Sequence, residues 1–66
     1  MNKYKIINST QSLKLGMEIN VDKSKIGSYI KVNELSTQLS FKLERIDSKT
    51  IRLRSPHITF TAIKIK

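Results

Sequence analysis

Arg52 and Arg54 stand two residues apart in a run, 50–54, whose apolar members alternate with polar ones. On a β-strand that spacing sets both guanidinium groups on one face about 6.6 to 7 Å apart, close to the repeat of successive phosphates along a nucleic-acid strand. A guanidinium fork matches phosphate oxygens in bidentate fashion, so the pair could hold neighbouring phosphates. Lys42 in the preceding run, and Lys64 and Lys66 in the following one, are expected to widen the same basic face. Tyr29 and Lys31 place an aromatic ring next to a cation, and Tyr4 and His57 are further candidate stacking surfaces. The residue types alone do not compel this chemistry, because a solvated sheet face and a lysine-blocked strand edge carry the same charges.

Catalytic equipment is sparse. The chain has one histidine, five acidic residues, no cysteine and two glycines. His57 follows Pro56 at a strand start and has no second histidine with which to complete a site. Glu44 and Asp47 fall at a strand end and its turn, where carboxylates commonly serve solvation and turn formation. Gly16 and Gly27 belong to no phosphate-cradling loop pattern. The expectation is a protein that is not an enzyme, with no metal site and no cofactor.

The elements that must position the basic residues are strands. Residues 39–66 read as a three-stranded antiparallel meander: Leu39, Phe41 and Leu43 alternate with Ser40, Lys42 and Glu44, and Ile51 and Leu53 alternate with the arginines beyond a turn at Asp47, Ser48 and Lys49. After the break at Ser55 and Pro56, Ile58 and Phe60 keep that phase, which then slips to Ile63 and Ile65. The slip predicts a β-bulge near Ala62. Upstream, residues 3–7 form a short strand, and Leu13, Leu15, Met17, Ile19 and Val21 occupy every odd position of another, with Gly16 marking a bend. Asp22 opens a turn as a cap for backbone amides, a strand follows from Tyr29 to Val32, and Asn33 to Gln38 is the one short helical piece.

Composition agrees. Ten Ile, two Val and five Thr are β-branched, against a single Ala. Sixty-six residues make one domain, 1–66. A chain of that size buries about 60% of its unfolded surface and so has a stability of a few kcal/mol, with no disulfide to help. The fold expected is all-β: a strongly bent antiparallel sheet or partly open barrel of SH3-like or OB-like architecture, with about five to six short strands. Its core is expected to be Leu15, Met17, Ile19, Val21, Ile30, Val32, Phe41, Leu43, Ile51, Leu53, Ile58 and Phe60.

The net charge of +8 is uneven. Residues 1–16 and 48–66 carry lysine and arginine without an acid, while the segment between them is balanced. Neighbouring terminal strands would merge the two basic ends. No apolar run spans a bilayer, which takes about 20 residues, and no hydrophobic leader is recognisable, so a cytoplasmic location is expected. Two readings follow. In the first, the protein binds nucleic acid, DNA or RNA, through phosphate contacts on the basic sheet face with little sequence preference. In the second it is a small basic interaction module, such as an inhibitor or accessory subunit of a phage or mobile element, that engages an acidic protein. Strand edges also leave open a homo-oligomer.

Overall fold

A computed structural model of the chain describes residues 2–10, 14–35 and 39–66. It contains six strands, β1 (Asn2–Ser9), β2 (Glu18–Val21), β3 (Tyr29–Ile30), β4 (Phe41–Arg45), β5 (Thr50–Arg54) and β6 (Thr59–Lys64), with single 3-10 turns at Lys23–Lys25 and Asn33–Leu35. All pairings are antiparallel, in the order β2-β1-β6-β5-β4-β3, and the sheet curls into a half-barrel around one core. The all-strand expectation therefore holds. The β1–β6 pairing joins the two basic ends of the sequence in adjacent strands.

Alternation dictates the core. Leu43, Leu53 and Phe60 lie directly across from one another on β4, β5 and β6, and Ile51, Ala62 and Ile6 form the next inward row across β5, β6 and β1. All six are buried. Ile19, Val21, Val32 and Phe41 are buried as expected, and Met17, Ile30 and Ile58 pack partly against them. Tyr4, Ile6, Leu35 and Ala62 complete the core beyond the residues that the sequence pointed to.

Leu15 is a correction, because it is 53% exposed. The odd-position pattern runs on past the point where the backbone turns: Lys14 (φ 63) and Gly16 (φ 82) both adopt left-handed conformations, and the Met17 amide donates to the Lys14 carbonyl at 3.1 Å. Glycine suits such a φ because it has no Cβ to clash. The bend expected at Gly16 is thus real, but β2 starts after it. Leu13 and residues 36–38 of the expected helical piece lie outside the described residues.

The bulge is also displaced. Phe60 and Ala62 point inward and Lys64 continues their phase, so β6 does not slip. The register instead shifts on the facing strand, between Ile6 and Asn8 of β1, opposite Ala62 and Thr61. The extra residue, Ile7, is exposed.

Local caps fall where side-chain chemistry requires them. The Asp22 carboxylate accepts from the Ser24 amide at 2.9 Å and from its hydroxyl at 2.8 Å, fixing the first 3-10 turn. Asp47 accepts from the Lys49 amide at 2.9 Å in the β4–β5 turn. At the sheet edge, Glu34 Oε2 accepts from both the Asn20 amide and the Asn20 side-chain nitrogen at 2.9 Å. That carboxylate occupies a β2 donor that would otherwise be offered to another strand.

Candidate nucleic-acid interface

The outer face of β3 to β6 is organised in cross-strand rows, since directly opposed residues in an antiparallel ladder share a face. Tyr29 pairs with Lys42, Lys42 with Arg54, and Arg54 with Thr59, giving one row across four strands. The next row runs through Glu44, Arg52 and Thr61. Tyr29 is 70% exposed and, with Lys42, Arg54, Ser55, Pro56 and Thr59, lines a shallow groove of about 390 Å³.

Glu44 sits between the two arginines. Its Oε1 lies 3.9 Å from Arg52 Nη1 and 3.8 Å from Arg54 Nη1, and this oxygen is buried without a hydrogen bond. The three side chains are nonetheless partly exposed, and each such pair contributes about 0 to 1 kcal/mol. The face carries three cations, Lys42, Arg52 and Arg54, against this one acid.

The other sequence candidates are dispersed. Lys31 is exposed beyond β3 and borders a separate depression with Asn20, Val32, Asn33 and Glu34. Lys64 is directly opposite the buried Tyr4, hence on the inner phase of the sheet and away from the arginines. It reaches the open end of the half-barrel, where Lys66 borders a hollow with Ser48, Lys49 and Ile65. The structure also corrects Tyr4 as a stacking surface: the residue is 1% exposed. Burial pushes the Tyr4 phenol up from its ordinary value, while the Arg45 charge pulls the other way. His57 is exposed in the turn that Ser55 closes, its hydroxyl accepting from the Ile58 amide at 3.1 Å.

Two cations that the sequence reading did not single out are Arg45 and Lys23. Arg45 follows Phe41 and Leu43 in the inward phase of β4, a position where alternation calls for an apolar residue. Its Nε donates to the Asp47 carbonyl at 3.4 Å. A charged residue in an apolar phase was the available signal.

Among the described residues, no group of three or more His, Cys, Asp or Glu could hold a metal ion, and no helix is long and apolar enough to cross a membrane. Compared with protein-family models, curated proteins and solved structures, the chain matches none.

Proposed function

We propose that the chain is a non-catalytic, cytoplasmic nucleic-acid-binding protein that lays a single strand across the outer face of β3 to β6. The observation that carries this reading is the row Tyr29–Lys42–Arg54, an exposed aromatic ring in register with two cations on successive strands. A base can stack on such a ring only when it is unpaired, whereas the flanking cations take the phosphates on either side. Strand-borne lysine and arginine held toward phosphates read no base edges, so sequence preference is weak.

Three phosphate contacts, by Lys42, Arg52 and Arg54, correspond to a slope of log affinity against log salt of about -2 for a single strand, at roughly -0.7 per contact. The experiment is a titration of labelled single-stranded and duplex oligonucleotides at two salt concentrations, with the Arg52→Ala, Arg54→Ala double variant beside the native protein. Tighter binding of the single strand, a slope near -2 and its flattening in the variant support the proposal. No binding at about 50 mM salt overturns it, and recovery of one acidic protein at stoichiometric yield would then favour an interaction module. Binding unchanged in the variant would move the interface off this face.

A further inference from the structure

The open end of the half-barrel collects positive charge from three separate elements. Arg45 is the last residue of β4 and Lys64 the last of β6, and both occupy the inward phase of their strands, in register with core residues: Arg45 opposite Ile51, Lys64 opposite Tyr4. Cations at such positions must carry their charged ends out of the core, and the end of the barrel is where they can do so. Lys23, from the first 3-10 turn, meets them there. Lys23 lines one pocket with Arg45, and Lys64 borders the hollow next to it, the two sharing Ser48; the charges of Lys64 and Arg45, with some burial, hold Lys23 below the ordinary lysine range. Lys23, Arg45, Asp47 and Ser48, with Tyr4, Ile26 and Ile51 as its apolar side, line the first of these, a pocket of about 80 Å³. That is room for a few waters, which suits a small oxyanion.

Like charges gathered around two adjoining hollows repel each other, and a bound anion relieves that repulsion. The one carboxylate at the rim, Asp47, already accepts from the Lys49 amide at 2.9 Å and is engaged with the Thr50 side chain. Its charge is also felt by Arg45, so three cations share a single acid. The neighbouring hollow bordered by Lys49, Lys64 and Lys66 adds further positive charge.

We propose that this end of the half-barrel is a binding site for a phosphate-type dianion, held by Lys23, Arg45 and Lys64. The site lies on the inner phase of the sheet and is separate from the outer face that carries Tyr29, Lys42 and Arg54, so it stands whether or not that face binds a strand. The dianion can be free inorganic phosphate or the terminal phosphate monoester of an oligonucleotide, and both present the same oxygens.

The test is an NMR titration of the native protein with inorganic phosphate at constant ionic strength, set by chloride. Saturating amide shifts confined to residues 22–25 and 45–49 and to Lys64 are expected. Lys23→Gln and Lys64→Gln should each weaken the affinity roughly ten- to hundredfold, the effect of losing one hydrogen bond to a charged group. Lys25→Gln removes the same charge from the same 3-10 turn without touching the pocket and should leave the affinity unchanged, as should Arg52→Ala with Arg54→Ala. A second arm compares one short oligonucleotide with a 5′-phosphate and with a 5′-hydroxyl. Preference for the phosphorylated strand, lost in Lys64→Gln, assigns the site to strand ends, and equal binding of the two assigns it to the free anion. Shifts that fail to saturate, or saturable shifts that Lys25→Gln weakens as much as Lys23→Gln does, overturn the proposal.

Discussion

Phe41 and Phe60 meet edge to face across the half-barrel, their ring centroids 5.7 Å apart and their planes inclined at 64°. This is a favoured aromatic geometry, worth about 0.5 to 1.5 kcal/mol beyond the area that it buries. Phe41→Ala removes the ring and leaves a cavity, at a cost of about 3 to 5 kcal/mol, comparable with the whole stability of a domain this small. Denaturant titration should therefore find the variant largely unfolded. A midpoint near that of the native protein would mean that the ring is not in the core.

Glu44 screens the two arginines beneath which its carboxylate lies. Glu44→Gln keeps the shape and removes the charge. Single-stranded oligonucleotide should bind more tightly to this variant, most visibly at low salt, while stability changes by no more than about 1 kcal/mol. Unchanged affinity would place the strand elsewhere.

Tyr29 contributes little to the core, since 70% of its surface is exposed. Tyr29→Ala should leave thermal unfolding nearly unaltered and cost about 1 to 3 kcal/mol of single-strand affinity, the range for stacking one base on an aromatic ring. The salt slope should not move, because no phosphate contact is lost. A flattened slope would show that the ring acts by placing Lys42.

Acid should weaken the fold. Backbone and side-chain hydrogen bonds from Ser24 hold Asp22 below its ordinary 3.8, and those from Lys49 and Thr50 do the same for Asp47. Burial tends to raise Glu34, but hydrogen bonds from its own amide and from Asn20 outweigh this and hold it below 4.5. Each folded-state pKa lies below its unfolded value. The unfolded chain therefore takes up protons first as pH falls, and the stability present at neutral pH is lost from about pH 4.5 downward. Thermal midpoints measured between pH 7 and pH 2 should drop over that window. Glu34→Ala should lower the neutral midpoint and reduce the drop. It also exposes the Asn20 amide on the β2 edge, so sedimentation should detect more self-association than in the native protein.

What the sequence made legible follows from how local each determinant is. The β4–β5 hairpin could be read outright, because the alternation of Phe41 to Glu44 and of Thr50 to Arg54 and an Asp47 turn are all short-range signals. Tyr4 and Ile6 alternate with Lys3 and Lys5 just as regularly, yet which face is buried depends on β6, a partner nearly sixty residues away in sequence. The same remote partner explains the phase slip expected at Ala62: the irregularity in the ladder is real but belongs to Ile7. Leu15 misled because periodicity carries no information on the left-handed backbone at Lys14 and Gly16. Of the candidate site, alternation gathered Lys42, Arg52 and Arg54 correctly onto one face, and Tyr29 joined them through a pairing of only two residues. Lys64 fell on the other side with the phase.

The β1–β6 ladder has a consequence for the order in which the molecule assembles. Strands β3 to β6 pair with sequence neighbours and can zip as a meander, but β1 must close a loop of more than fifty residues before it gains its first contact with β6. β1 should therefore dock late, carrying β2 with it. Ile6→Val then accelerates unfolding in stopped-flow kinetics and leaves the refolding rate nearly unchanged, whereas Leu53→Ala slows refolding. In hydrogen exchange the amides of β1 and β2 should open at lower free energy than those of β5, and each such opening bares the β6 edge for as long as it lasts.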